Sequence, residues 1–290
     1  MRRILFPALA AALVALAAGC DIEFPEQEIL ARLDSAADRL DLLFIYKGVT
    51  AHDDSEEAVG KAVAAAERIL AGRRQFMIVD WPLHFDLDRE DCDVSSPLGR
   101  RVLGNFSVAQ VGAFLDSDGR LSGYQLVRVK EAKLLFHAID AFVNKAVLEA
   151  DADGDLGDDA EFLDDRSKAL MVERAGSGGS WGRLSSSGLE ISFPVTSAAA
   201  AGAIRSLRKM NDDDAAGAAL LGALRRLDVG RESTLARFGE SAGRGTARFS
   251  FRRDDVEYSP ALYDALRERG SLDMGAFPKE EEVRRLVLPR

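Results

Sequence analysis

The first twenty residues of the chain differ in character from everything that follows them. Met1-Arg2-Arg3 is cationic, the run from Ile4 to Ala18 carries no charge, and Gly19-Cys20 comes directly after it. An apolar run of this length is too short to span a bilayer comfortably as a helix, but it fits the apolar region of a secretory signal peptide. We therefore expect residues 1–19 to be an export signal that takes no part in the mature fold.

Cys20 ends a short segment, Leu16-Ala17-Ala18-Gly19-Cys20, that resembles the lipobox of bacterial lipoproteins. Leucine stands one position earlier than in the commonest form of that motif, and alanine takes its place. The resemblance covers residues 1–20 only. It implies cleavage before Cys20, a diacylglyceryl group on its thiol, and a lipid-anchored protein of the cell envelope that faces the periplasm or the exterior. The alternatives are an ordinary signal peptide with a chance cysteine, or a buried N-terminal helix.

Composition narrows the function classes further. Asp and Glu number 48 against 38 Lys and Arg among 290 residues, so the formal net charge is −10 and a nucleic-acid partner is not expected. Two cysteines are too few for a disulfide scaffold. With Cys20 bound to lipid, Cys92 has no intrachain partner. Its neighbours Asp91 and Asp93 disfavour the thiolate, so a nucleophilic role for Cys92 is not expected.

The spacing of apolar residues predicts an α+β protein, because helical and strand patterns are mixed without strict alternation. Helices are predicted over residues 27–40, 58–71, 130–150 and 261–269. Strands are predicted over residues 42–46, 108–115, 121–129, 170–172, 189–195, 235–238 and 246–251. The turn sequence Asp116-Ser117-Asp118-Gly119 joins two of these strands in a predicted hairpin. In the helix over 130–150, we expect a buried side formed by Leu135, Phe136, Ile139, Phe142, Val143, Ala146 and Val147.

A glycine- and serine-rich stretch, Ala175-Gly176-Ser177-Gly178-Gly179-Ser180, has the composition of a linker. We therefore predict four parts of the chain: a lipoprotein signal peptide over 1–19, an N-terminal α+β domain over 20–174, a linker or loop over 175–188, and a C-terminal α+β domain over 189–290.

An acidic segment follows the helix predicted over 130–150, and it partly resembles the calcium loop of EF-hand proteins. Asp151, Asp153 and Asp155 stand at alternate positions, from which carboxylates can converge on one hard cation, and Asp159 is the fourth candidate ligand. Leu156 occupies the place of the loop's glycine, and no glutamate stands at its last position. We favour a solvated acidic loop over a calcium site.

The histidines suggest a second, weaker cluster. In an extended segment, alternation would place His84, Asp86 and Asp88 on one face, which suits acid–base chemistry or a metal. The solvent-facing side of an edge strand is the alternative that we favour. His137 is expected to be exposed on the polar side of its helix.

The sequence contains no nucleophile elbow, phosphate loop, dinucleotide fingerprint or zinc-protease motif. Our leading hypothesis is therefore a lipid-anchored envelope protein with a non-enzymatic binding or accessory role, a protein partner at the membrane and no cofactor. The alternatives are a calcium-dependent binding module built on residues 151–161 and a metal-assisted hydrolase that uses His84, Asp86 and Asp88.

Overall fold

A computed structural model describes most of the chain after residue 20. The described residues are 21–71, 75–76, 85–86, 97–156, 163–185, 188–196, 198–199, 201–202, 227–229, 234–238, 240–241, 246–253 and 255–288. They form helices and antiparallel sheets, so the predicted α+β class is confirmed.

Strands of four sheets are described. They are β1 (Ile22–Glu23), β2 (Glu26–Asp34), β3 (Arg39–Lys47), β4 (Thr50–Ala51), β5 (Gln75–Phe76), β6 (Phe85–Asp86), β7 (Phe106–Leu115), β8 (Leu121–Lys130), β9 (Gly182–Ser185), β10 (Gly188–Phe193), β11 (Leu227–Val229), β12 (Thr234–Phe238), β13 (Glu240–Ser241) and β14 (Thr246–Arg252). The largest sheet has the order β13-β14-β2-β3-β8-β7, and a smaller one has the order β11-β12-β10-β9. The pairs β1–β4 and β5–β6 form two further sheets.

The helices lie between and after these strands. They are α1 (Glu56–Leu70), α2 (Pro97–Gly104), α3 (Ala132–Ala152), α4 (Asp165–Gly176), α5 (Ala261–Glu268) and α6 (Glu280–Arg284), with a 3-10 helix over Met274–Ala276. The predicted helices over 58–71, 130–150 and 261–269 correspond to α1, α3 and α5 and are confirmed.

Both faces of the largest sheet are covered. On one face, which we call the helical face, Ile29, Phe44 and Val127 pack with Ile69 of α1 and Leu103 of α2. On the opposite face, which we call the C-terminal face, the last turns of the chain cover the sheet. The members of that cluster are Leu30, Leu43, Ile45, Phe114, Tyr124, Leu126, Val283 and Val287, with Leu286 and Leu288 at its margin. The centre of the sheet is therefore buried on both sides.

Burial on both sides explains the one predicted helix that is wrong. Residues predicted as a helix over 27–40 form the strand β2, a turn and the start of β3. A strand covered on both faces loses the alternation of apolar and polar residues that marks a half-buried strand. Gln27 and Glu28 are buried beside Ile29, Leu30 and Ala31. Apolar residues in such a strand fit helical spacing equally well.

The predicted hairpin is confirmed, and Asp116 holds its turn. The Asp116 carboxylate accepts hydrogen bonds from the backbone N–H groups of Asp118 and Arg120, at 3.0 and 2.9 Å. Gly119 has φ +75°, a left-handed conformation that costs glycine little. The strands that this turn joins are β7 and β8.

The predicted strand over 170–172 is wrong, because these residues lie inside α4. Asp164 begins this helix, and its carboxylate accepts the N–H of Ser167 at 2.7 Å. Met171 and Ala175 face a core that also contains Trp181. Tertiary packing of one helix face therefore outweighs the β-like local composition.

The glycine- and serine-rich stretch ends α4. Gly178 has φ +69° and donates to the Ala175 carbonyl, while Gly179 donates to the Arg174 carbonyl, which is the Schellman pattern of a helix C-terminus. Trp181 follows and is buried.

Two side chains of α3 hold that stretch in place. Asp140 accepts the backbone N–H of Trp181 at 2.7 Å, and Asn144 accepts its indole N–H at 2.6 Å. This part of the predicted linker is therefore packed against α3.

The largest sheet contains strands from both sides of the domain boundary predicted at 175–188. β14, from the predicted C-terminal domain, is hydrogen-bonded to β2 along seven residue pairs. Leu262 and Leu266 of α5 share a core with Ala62 and Val63 of α1. Residues from both predicted domains thus build one sheet and its core, while β9 to β12 form a sheet of their own.

The buried side of α3 is narrower than predicted. Val147 is fully buried, but Ile139 and Phe142 expose 44% and 66% of their surface. The predicted burial of these two side chains is wrong. Neighbouring elements contact α3 on the side of Asp140, Asn144 and Val147 instead.

Candidate functional site

A row of polar and charged residues crosses the C-terminal face of the largest sheet. Directly opposed residues on neighbouring antiparallel strands project from the same face. The register therefore places five side chains in one line, which runs through Thr246, Arg32, Asp41, Arg128 and Ser107 on β14, β2, β3, β8 and β7. The next row, two residues along, contains Asp34, Arg39 and Lys130.

Asp41 is the centre of this arrangement, and its side chain is only 1% exposed. Three guanidinium groups surround its carboxylate: Arg32 Nη2 at 2.9 Å, Arg39 Nε at 3.2 Å and Arg128 Nε at 3.3 Å. A buried carboxylate is costly unless it is paired, and these contacts pair it. We call Arg32, Arg39 and Arg128 the arginine cluster.

The three arginines differ in how many of their hydrogen-bond donors have a partner. Arg32 is held from two sides, because Nη1 also donates to the Val287 carbonyl at 3.0 Å. Arg128 donates through Nε to Asp41, and its terminal nitrogens make no hydrogen bond within the described residues. Arg39 Nε is buried and lacks a hydrogen bond of good geometry there. The side chains of Arg39 and Arg128 are 34% and 45% exposed, and Arg39 Nη2 also lies 3.8 Å from Asp34.

Glu28 forms a second charged centre at the other end of the C-terminal face. Arg284 of α6 donates to its carboxylate, and Arg248 Nε lies 3.3 Å from it. Arg284 also contacts Glu280 at 2.7 Å, and Lys47 contacts Glu280 at 2.9 Å. Burial by itself raises the pKa of Glu280, but the hydrogen bonds from Lys47 and Arg284 outweigh burial and hold that pKa below its ordinary value. These contacts fasten α6 to the sheet.

A small apolar cavity lies on the helical face, between the sheet, α1 and α5. Its volume is about 60 Å³, and Ile22, Phe24, Ile69 and Leu272 are among its lining residues. Ligand pockets in proteins typically enclose about 300–1,000 Å³. This cavity is therefore too small for a typical small-molecule ligand.

His52 forms an ion pair close to the start of the described chain. Its Nδ1 lies 2.9 Å from Glu23 Oε1, although the imidazole itself is 71% exposed. The hydrogen bond to Glu23, followed by the charge of Glu23, raises the pKa of His52 above 6.5.

No family model, curated protein or solved structure matches this chain.

No helix among the described residues is both long and apolar enough to cross a membrane.

The predicted calcium ligands lie at the C-terminus of α3. Asp151 is in the last turn, Asp153 is the C-cap, and both are exposed, as is Asp155. Gly154 has φ +74° and donates to the Asp151 carbonyl, while Asp155 donates to Ala150, so these residues form a second Schellman cap.

Leu156, at the place of the EF-hand glycine, is buried in a core with Val147 and Trp181. The fourth candidate, Asp159, lies outside the described residues. Within the described part of the chain, no group of three or more His, Cys, Asp or Glu side chains is arranged to hold a metal ion. The calcium site stays a prediction.

The remaining predicted site residues fall largely outside the described ranges. His84, Asp88, Cys20 and Cys92 are not described, and only the backbone of Asp86 is, within β6. His137 is exposed on α3, as predicted.

The arginine cluster is the feature that the sequence analysis missed. Its local signal is a pair of charges two residues apart at the end of each of three strands. These pairs are Arg32 with Asp34, Arg39 with Asp41, and Arg128 with Lys130. Such pairs are usual on any solvated strand face. Only the register of β2, β3 and β8 brings them together.

Proposed function

We propose that this chain is a lipid-anchored cell-envelope protein with a binding or accessory role, attached to the membrane through Cys20. The lipobox-like segment over residues 16–20 supports the anchor. That segment is the observation that carries the proposal, and the fold begins directly after it. Ile22 and Phe24 are 4% and 2% exposed, and β1 pairs with β4 from Ile22 onward.

Lipidation of Cys20 would therefore hold the fold directly at the bilayer surface. Two residues of extended chain span at most about 7 Å, so the sequence leaves no room for a long tether between a lipid at position 20 and Ile22. Two or more lipid chains on one cysteine give stable attachment, which a single acyl chain does not. No long tether separates the anchor from the first buried residues.

A binding role agrees with the arginine cluster. The cluster places partly exposed guanidinium groups on the largest sheet, with the Nε atoms of Arg39 and Arg128 at 3.2 and 3.3 Å from Asp41. The planar set of N–H donors on an exposed guanidinium group is suited to recognising an anionic group on another molecule.

The two cysteines provide a matched test of the anchor. We expect Cys20→Ala to abolish incorporation of labelled fatty acid and to leave the precursor uncleaved, while Cys92→Ala is labelled and processed like the native chain. Mass spectrometry of the mature N-terminus would identify the lipid. Normal processing and labelling of Cys20→Ala would overturn the proposal, as would loss of labelling in Cys92→Ala alone.

A further inference from the structure

We infer that the arginine cluster, with Arg39 and Arg128 as its open members, is a binding site for a phosphate-type oxyanion carried by a soluble molecule. The anion site goes beyond the lipid anchor and does not depend on it, because the cluster lies entirely within the described fold. The choice of a soluble molecule over a lipid headgroup rests on the proposed anchor at Cys20. Three observations carry it: the local charge, the unused donors and the position of the cluster relative to residue 21.

The charge of the cluster is opposite in sign to that of the whole protein. Arg32, Arg39 and Arg128 share the single carboxylate of Asp41, and the next row adds Lys130 and Asp34. The two rows together therefore have a formal excess of two positive charges, in a chain of net charge −10. A divalent oxyanion such as a phosphate monoester would balance that excess.

Neighbouring acidic groups already have partners of their own. Asp34 accepts the backbone N–H of Ala37 at 3.0 Å, and Asp38 accepts that of Lys133 at 3.0 Å. Glu131 is paired with Arg101 at 2.6 Å. Asp34 also forms an ion pair with Arg39, whose Nη2 lies 3.8 Å from the Asp34 carboxylate. Among the described residues, no carboxylate accepts a hydrogen bond from the terminal nitrogens of Arg39 or Arg128, and Asp34 is already counted in the excess of two positive charges.

Asp41 does not use all the hydrogen-bond donors of Arg39 and Arg128. Arg128 contacts Asp41 through Nε, so its two terminal nitrogens remain for a ligand. Arg39 also approaches Asp41 through Nε, at 3.2 Å. Because the hydrogen bond to Asp41 fixes one edge of the Arg128 guanidinium group, less side-chain freedom is lost when a ligand binds there. Arg32 donates hydrogen bonds to both Asp41 and the Val287 carbonyl, and so helps to hold Asp41 in place.

The position of the cluster favours a soluble ligand over a headgroup of the anchoring membrane. β2 begins at Glu26, near the first described residues, and Arg32 lies six positions along it. At about 3.3 Å per residue, the cluster is on the order of 20 Å along the strand from that end. A ligand in solution can reach it without competing for the bilayer surface next to Asp21.

The test is calorimetric titration of the full chain, purified in detergent, with inorganic phosphate and pyrophosphate at low ionic strength. We expect saturable binding with a submillimolar Kd.

Substitutions in the cluster should weaken this binding. Arg39→Gln and Arg128→Gln should each weaken it by roughly tenfold or more, the effect of losing a charge-assisted hydrogen bond. Arg267→Gln is the control, because Arg267 is an exposed arginine of α5 that is ion-paired with Asp264, and α5 packs on α1 away from the cluster. Arg128→Lys keeps the charge but loses the fork, so we expect intermediate affinity.

Three results would overturn the inference. The first is no saturable heat with either anion at millimolar concentration. The second is equal weakening in Arg267→Gln and in the two cluster variants, which would indicate nonspecific charge. The third comes from vesicles of phosphatidylglycerol mixed with the Cys20→Ala chain. Vesicle binding that requires Arg39 and Arg128, without binding of free phosphate, would assign the site to a lipid headgroup instead. Thermal melts of each variant would verify that it is folded.

Discussion

The Arg32 guanidinium donates a hydrogen bond to the backbone carbonyl of Val287, 3.0 Å away and 255 positions later in the chain. This contact joins the end of the chain to a strand near its beginning. Val287 itself is fully buried against the sheet. The C-terminal turns are thus part of the core, and the same arginine links them to Asp41.

Shortening Val287 should measurably destabilise the protein. We expect Val287→Ala to lower the free energy of unfolding by about 1–3 kcal/mol, because it removes two buried methyl groups and leaves a cavity. Urea unfolding followed by circular dichroism would measure this. Leu148→Ala is the control, since Leu148 is 40% exposed, and its effect should stay within about 0.5 kcal/mol. Equal effects of the two substitutions would contradict the burial of the C-terminal turns.

Removing the charge of Asp41 should leave three arginines facing one another. We expect Asp41→Asn to cost about 1–3 kcal/mol, a range below that for fully buried pairs because the arginines are partly solvated. Part of this loss should be recovered at high salt, which screens the repulsion between the guanidinium groups. Unfolding curves at low and high salt test both points. A variant as stable as the native chain at low salt would show that the pairing contributes little.

The ion pair between His52 and Glu23 should appear as a shifted titration. Glu23 raises the pKa of His52 in the folded state, so the stabilisation is fully present below the ordinary pKa of 6.5 and is lost as the pH rises through the higher folded value. NMR titration of the His52 ring should therefore show a lower pKa in Glu23→Gln than in the native chain. Glu56→Gln, at the start of α1, serves as the control. An unchanged pKa in Glu23→Gln would rule out the contact.

Two glycines should respond in opposite directions to the same substitution. Gly154 has φ +74°, and an added Cβ would meet no atom, so Gly154→Ala tests backbone conformation alone; we expect a loss of about 1–2 kcal/mol. Gly60 lies within α1, also with open space around it, so Gly60→Ala should gain about 0.5–1 kcal/mol through helix propensity. Thermal melts of both variants would check the signs. Destabilisation by Gly60→Ala would mean that α1 packs more tightly at that position.

Local patterns were enough to predict much of the secondary structure. Apolar spacing and the glycine at 119 predicted the β7–β8 hairpin, and acidic and capping residues before Ala58 predicted α1. The signal-like start and Cys20 can be recognised without any structure, because export and lipidation act on a linear segment. These features depend on residues close together in sequence.

The sheet and the arginine cluster depend on residues far apart. Burial on both faces of β2 is imposed by α1 and α2 on one side and by α6 with the last residues on the other, so periodicity within 27–40 could not distinguish strand from helix.

The neighbours of Asp41 likewise come from three strands, and Val287 comes from the far end of the chain. From its sequence alone, this protein's class, its hairpin and its lipidation segment could be predicted. Strand order and register, which are set by long-range hydrogen bonding and burial, decided which charged side chains lie next to Asp41.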